Sequence, residues 1–197
     1  MHEPLPLSKI QAAVLEFLQG RDDAVLFGAQ AVNAYVSEPR ATQDVDILST
    51  RAKELAEELR EYLSERFHIA VRVREVAGGK GIRVYQVRKE GNRHLVDVRS
   101  VFEFPDTQSF EAIKVLSPEE LIASKVTSYI SRFGKSKSWT DRRDLTVLLL
   151  RFPELKRDDG KVQNILNRLE ASEAALEFWA ELVASDLAIE NDDDLSF

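Results

Sequence analysis

The chain has 197 residues, of which 44% are hydrophobic, a formal charge of −7 at pH 7 and no cysteine. That length and apolar content suffice for one core, or a core with a helical appendage, while the lack of cysteine excludes disulfides and thiolate metal sites and fits the cytoplasm. The negative balance argues against a protein that coats long nucleic acid, no apolar run approaches the ~20 residues of a membrane span, and Met1-His2-Glu3-Pro4 does not open a signal peptide.

In chain order, Ser8 to Leu18 carries Ile10, Val14, Phe17 and Leu18 in helical register and stops near Gly20. Ala24 to Phe27 reads as a first strand, Ala29 to Val36 as a short helix and Gln43 to Leu48 as a second strand. Thr50 is expected to cap a helix running to about Arg66, whose many charges mark a solvated face. Ile69 to Glu75 and Gly81 to Lys89 alternate in strand fashion about Gly78-Gly79-Lys80-Gly81, a hairpin tip. It is not a phosphate loop, because the Gly-x-x-x-x-Gly-Lys-Ser/Thr spacing is absent and a strand follows. Leu95 to Val101 is the next strand.

Beyond it the pattern turns helical. Ser117-Pro118-Glu119-Glu120 is a capping box with proline at the first helical position, opening a helix to about Arg132. Thr140-Asp141-Arg142-Arg143-Asp144-Leu145 opens another, with Asp141 as a helix-start charge and no Lys or Arg three or four residues from Asp144 to define its role. Helices at about 159–169 and 171–186 follow, with Phe178, Trp179 and Leu182 as core. Arg132, Lys135, Lys137, Arg142 and Arg143 form a basic stretch, and Glu190-Asn191-Asp192-Asp193-Asp194 an acidic tail. His2, His68 and His94 are scattered and read as ordinary surface or strand residues, which argues against a zinc site.

The chemistry-bearing segment is Leu26-Phe27-Gly28-Ala29-Gln30, then Arg40-Ala41-Thr42-Gln43-Asp44-Val45-Asp46-Ile47-Leu48. On a strand Asp44 and Asp46 share one face about 6.5–7 Å apart. Like charges so placed raise each other's cost of ionisation, and a divalent cation removes that cost. Asp97, in His94-Leu95-Val96-Asp97-Val98-Arg99, supplies a third carboxylate in a β-favouring run, as two-metal phosphoryl transfer requires.

This order of glycine turn, Asp-x-Asp and distant strand aspartate resembles the nucleotidyltransferase superfamily that includes DNA polymerase β. Gly28-Ala29-Gln30-Ala31 through Arg40-x-Thr42-x-Asp44-x-Asp46 is most similar to its small prokaryotic branch, the minimal nucleotidyltransferases and AbiEii-type toxins. The resemblance spans about residues 24–150 and implies an α+β fold: a mixed β-sheet flanked by helices over residues 1–110, with a helical C-terminal region over 111–197. It further implies transfer of a nucleoside monophosphate from a nucleoside triphosphate to an acceptor hydroxyl on RNA, protein or a small molecule, with tRNA or protein as acceptor partners. Asp44 and Asp46 would bind Mg²⁺ or Mn²⁺, and Asp97 would hold a metal and act as base or orienting group for the acceptor. Gly28 and Ala29 would bind the nucleotide through backbone N–H groups at a helix start. Lys125, in Leu116-Ser117-Pro118-Glu119-Glu120-Leu121-Ile122-Ala123-Ser124-Lys125, would reach the triphosphate. The AbiEii branch implies the toxin of a toxin–antitoxin pair, with an antitoxin protein as partner.

The family usually has Gly-Gly or Gly-Ser where this chain has Gly28-Ala29, so no hydroxyl supports a phosphate there. That departure keeps a non-catalytic nucleotide-binding or protein-interaction module on the same fold as an alternative, beside an enzyme that modifies a small molecule.

Overall fold

The computed structural model describes residues 5–187, so His2 and the acidic tail lie outside the described residues. Helix α1 (Leu7–Leu18) turns Ile10, Ala13, Val14 and Leu18 inward at helical spacing. Strand β1 (Ala24–Phe27) is buried along its whole length. It passes directly into α2 (Gly28–Tyr35) through Gly28, whose φ of 69° only glycine adopts without cost. Next come β2 (Val45–Ser49), α3 (Ala52–Phe67), β3 (Val71–Val76), β4 (Gly81–Gln86) and β5 (Arg93–Ser100), then β6 (Thr107–Phe110) and β7 (Ile113–Leu116). Helices α4 (Pro118–Ser131), α5 (Ser136–Arg151), α6 (Lys161–Arg168) and α7 (Glu173–Ala184) complete the described chain.

Two compact units result: residues to Ala34 with Glu38–Ser117, and Tyr35–Ser37 with residues from Pro118 on. In the first, the strands form one mixed seven-stranded sheet in the order β3-β4-β5-β2-β1-β7-β6. β2 runs antiparallel to β1 and parallel to β5, β1 is parallel to β7, and the outer pairs are antiparallel hairpins. Ala52, Leu55, Ala56, Leu59 and Leu63 of α3 cover one sheet face, where Val45, Ile47, Ile82, Val84, Val96 and Val98 are buried. Each fully buried leucine there contributes on the order of 1.5–3 kcal/mol.

Thr50 does not cap α3. The N-cap is Arg51 without a side-chain bond, and Ser49 Oγ does the local work instead, accepting from the Arg51 N–H at 3.0 Å and donating to the Asp23 carbonyl at 2.7 Å. The β6–β7 hairpin was not expected, because its turn residues Glu111 and Ala112 carry φ of 48° and 63° with neither glycine nor asparagine to announce it.

In the second unit, α4 supplies Leu121, Ile122, Ala123 and Val126, α5 supplies Leu145, Leu148 and Leu149, and α6 supplies Val162 and Leu166 to a core completed by Trp179. Tyr129 stacks on Phe178, with ring centroids 4.5 Å apart. Helix α5 starts four residues before the expected Thr140, so Asp141 lies in its second turn and is buried, not a helix-start charge.

Candidate active site

The loop ahead of β2 is held at both ends by amides. Thr42 Oγ1 accepts from Gln11 Nε2 at 3.2 Å and from Gln30 Nε2 at 2.9 Å, while Asn33 brackets Arg40 through its carbonyl and its N–H. The Arg40-x-Thr42 spacing thus fixes the register in which Asp44 and Asp46 enter the sheet. Asp44 sits in a bend one residue before β2, and Asp46 is the single partly exposed residue of that strand.

Asp46 lies in register with Phe27 on β1 and with Asp97 on β5, and Asp97 with Arg83 on β4, so all four share the face that α3 leaves uncovered. A Cβ at Gly28 would come within 2.2 Å of Asp46 Oδ2. The residue at the β1–α2 junction must therefore be glycine for space as well as for φ, and the start of α2 runs against the carboxylate row. Arg99, two residues beyond Asp97, places its guanidinium 4.8 Å from the centre of the Phe27 ring.

His94 overturns the expectation of an ordinary strand residue. Its Nδ1 lies 3.1 Å from Asp44 Oδ2 and its Nε2 3.0 Å from Asp97 Oδ1. Both contacts lie within ion-pair distance, and buried Nε2 has no aligned hydrogen-bond partner, so we attribute Asp97's hold on the ring mainly to charge. The contact with Asp44, then that with Asp97, push the imidazole pKa up to about 9. Sequence reasoning missed His94 because period-2 alternation sets a residue three before Asp97 on the opposite face. The pairing shifts between Val84 and Tyr85, from Val96 to His94, and skipping Leu95 turns His94 onto the carboxylate face. No local signal announces that bulge.

Arg83 was missed as well. Its Nε and Nη2 each donate to an Asp97 carboxylate oxygen at 3.0 Å, in a two-pronged fork. Burial pushes the Asp97 carboxyl up, but His94 and Arg83 outweigh it and hold the group well below the ordinary carboxylate range.

The donor set suits a divalent cation. One ligand atom each from Asp44, His94 and Asp97 lies within 4.8 Å of the others, with Asp46 beside Asp97 in the neighbouring strand. Carboxylate oxygens suit Mg²⁺, and the unaligned imidazole nitrogen adds a donor that Mn²⁺ accepts more readily.

In the helical unit, Lys125 is 7% exposed and donates to Asp144 Oδ2 at 2.7 Å and to Asp141 Oδ1 at 3.2 Å, and Arg132 bonds the other Asp141 oxygen at 2.9 Å. Asp144, whose role the sequence left open, thus meets a lysine of α4, with Arg143 of its own helix 3.8 Å from its other carboxylate oxygen. Of the basic stretch, Lys135, Lys137, Arg142 and Arg143 are exposed, as are the aromatic rings of Phe133 and Trp139. No helix among the described residues is long and apolar enough to cross a membrane.

The family model described as "Nucleotidyl transferase AbiEii toxin, Type IV TA system" matches residues 12–192. No curated protein sequence gives a significant match. Among solved structures, the Megavirus polyadenylate synthase is similar at a TM-score of 0.62 and 15% identity, over 81% of this chain and 34% of its own, so this chain spans about a third of that protein. An antigenic nucleotidyltransferase-like protein from Paracoccidioides brasiliensis is similar at a TM-score of 0.52 and 20% identity, covering 91% of this chain and 95% of its own. The antibiotic-resistance factor ANT(2'')-Ia has a TM-score of 0.51 and 18% identity, over 89% and 95%. At these identities the structures establish the shared nucleotidyltransferase-like fold.

Proposed function

Since the chain belongs to the AbiEii family of nucleotidyl transferase toxins, we propose that it is the metal-dependent toxin of a toxin–antitoxin pair, acting in the cytoplasm. In this reading it moves a nucleoside monophosphate from a nucleoside triphosphate to an acceptor hydroxyl, and an antitoxin protein is its partner. The observation that carries this reading is the in-register Asp46 and Asp97, joined by Asp44 and closed on the β1 side by Gly28.

Asp44, Asp46 and Asp97 would hold Mg²⁺ or Mn²⁺, with His94 Nε2 as an additional donor once deprotonated, and the cation supplies charge stabilisation to the transferred phosphoryl group. The backbone N–H groups of Gly28 and Ala29, at the start of α2, bind phosphate oxygens; a backbone donor makes no demand on the Ala29 side chain. The acceptor oxygen attacks the α-phosphorus and releases its proton to solvent water, the bond to the β-phosphate breaks, and pyrophosphate departs with that electron pair. Asp97 orients the acceptor hydroxyl. Its carboxylate, held far below the usual range by His94 and Arg83, is a weak base, so positioning is its larger contribution. Lys125, expected at the triphosphate, has two of its three N–H donors engaged by buried Asp141 and Asp144, an arrangement that supports a role within the helical unit.

Incubation with each α-labelled nucleoside triphosphate, Mg²⁺ or Mn²⁺ and a cell extract tests the reading: a labelled acceptor and metal-dependent pyrophosphate release are expected. One observation favours a second reading, a nucleotide binder without turnover: Asp97 is already engaged by Arg83 and His94. A metal- and nucleotide-dependent rise in melting temperature with no label transfer under any condition would select it.

A further inference from the structure

The corner between α4 and α5 carries features that the nucleotidyl-transfer site does not use. Phe133 and Trp139 stand 71% and 69% exposed there, flanked by exposed Lys135, Lys137, Arg142 and Arg143. Lys135, Lys137 and Arg142 form no ion pair among the described residues. The acid in this stretch, Asp141, is buried and already engaged by Lys125 and Arg132. Two large rings in water inside an uncompensated basic rim have the composition of an interface, where aromatic residues and arginine are enriched.

We propose that this corner is the docking surface for the chain's own acidic segment, residues 189–197. Glu190, Asp192, Asp193 and Asp194 answer Lys135, Lys137, Arg142 and Arg143 charge for charge, and Ile189, Leu195 and Phe197 supply apolar side chains for Phe133 and Trp139. The inference stands apart from the nucleotidyl-transfer reading, since none of these residues belongs to the carboxylate site.

The connectivity of the helical unit permits the contact. Helix α7 ends at Ala184, and Lys156, which follows α5, donates to the Ser185 carbonyl. Arg142 lies about 13 Å back along α5 from Arg151, while the chain from Ser185 to Asp194 spans up to about 30 Å when extended. A line of rings leads the same way: Phe178 of α7 stacks on Tyr129 of α4, whose ring meets Phe133 edge-on with centroids 5.8 Å apart. Acids joined to the unit by a few residues meet its cations at an effective concentration on the order of millimolar, so individually weak surface pairs suffice. A nucleic-acid strand drawn to the same cations has to displace those acids and to approach a chain of charge −7.

Trp139 reports the contact directly, because the chain has two tryptophans and Trp179 is fully buried. Acrylamide quenching of tryptophan emission is measured on the full chain over a range of salt. Trp139 should be shielded at low salt, and raising salt to about 1 M, where the Debye length falls to about 3 Å, should raise the quenching constant about twofold. Asp192→Asn with Asp193→Asn and Asp194→Asn should give the raised value already at low salt, as should Lys135→Ala with Lys137→Ala. Lys137→Glu combined with Asp193→Lys should be quenched less than Lys137→Glu alone. The salt titration of the wild type needs no variant, and circular dichroism verifies that each variant keeps its helices. A wild type as open to acrylamide at low salt as at high salt, or unmoved by neutralising the three aspartates, overturns the docking. Shielding that fades on dilution assigns the corner to the acidic segment of a second copy, and shielding that appears only when short single-stranded RNA is added assigns it to nucleic acid; either result overturns the proposal.

Discussion

Asp46 occupies the most constrained position of the site, between Gly28 and Asp97. Asp97 is already compensated by Arg83 and His94, so removing the Asp46 charge relieves little repulsion in the metal-free fold. Asp46→Asn is expected to melt within ~1 kcal/mol of wild type in chelator. It should also abolish pyrophosphate release and the stabilisation by Mn²⁺ with nucleotide, which at a hundred times Kd amounts to about 2.7 kcal/mol for the wild type. Thermal melts with and without ligand check both halves, and a retained ligand shift would remove Asp46 from the metal site. Lys125 behaves differently under truncation. Lys125→Met leaves buried Asp141 with Arg132 alone and buried Asp144 with only the more distant Arg143, and is expected to cost about 3–5 kcal/mol in denaturant unfolding, with Asp144→Asn in the same chain returning part of the loss. Wild-type stability for the single variant would show that the ion-pair cluster contributes nothing to the fold. A loss of activity in Lys125→Met is therefore readable as a phosphate contact only beside that stability measurement.

Two irregular pieces of backbone decide what the strands display. The shift in pairing at Val84/Tyr85 places His94 on the site face, and the turn at Glu111 and Ala112 folds β6 back onto β7 at the sheet edge. The turn carries a cost, since a side chain in the left-handed region is disfavoured by roughly 1–2 kcal/mol per residue. Glu111→Asn together with Ala112→Gly matches the residues this turn geometry prefers and is expected to raise stability by about 1 kcal/mol, read as an increase in denaturant midpoint at constant slope. A lower midpoint would mean that the native side chains make contacts worth more than the relief of strain.

For the whole molecule, acid sensitivity is expected to follow the network at the start of β1. Asp23 accepts from Arg21 through two bonds of 2.8 Å and from Arg51 at 3.1 Å, and the Arg21 bond, outweighing burial, holds its carboxyl below the ordinary value of 3.8. A carboxylate with a depressed folded pKa contributes stability that is present above its unfolded pKa and is lost as pH falls through the folded one. Asp23→Asn should therefore melt below wild type at neutral pH by the equivalent of ~1 kcal/mol, and the gap should close on acidification below 3.8. A gap that persists unchanged into that acid range would assign the loss to packing.

What could be read in the chain was what local periodicity and spacing encode. Helical spacing in α1 and α3, alternation in β3 and β4 and the capping box before α4 act within a few residues and mark helices and strands, while the nucleotidyltransferase fold was implied by the resemblance that the Gly28 to Asp46 order carries. The expectations that the structure corrected depend on tertiary placement. Two-residue alternation holds His94 off the carboxylate face until pairing with β4 drops one residue from the register. Arg83 is an ordinary strand arginine until an antiparallel neighbour sets it opposite Asp97, and the buried bond of Asp144 to Lys125 exists only once α4 packs on α5. Electrostatic partnership between residues distant in sequence is a property of the packed chain, because the Coulomb term and the burial that strengthens it arise only when the sheet and the helices assemble.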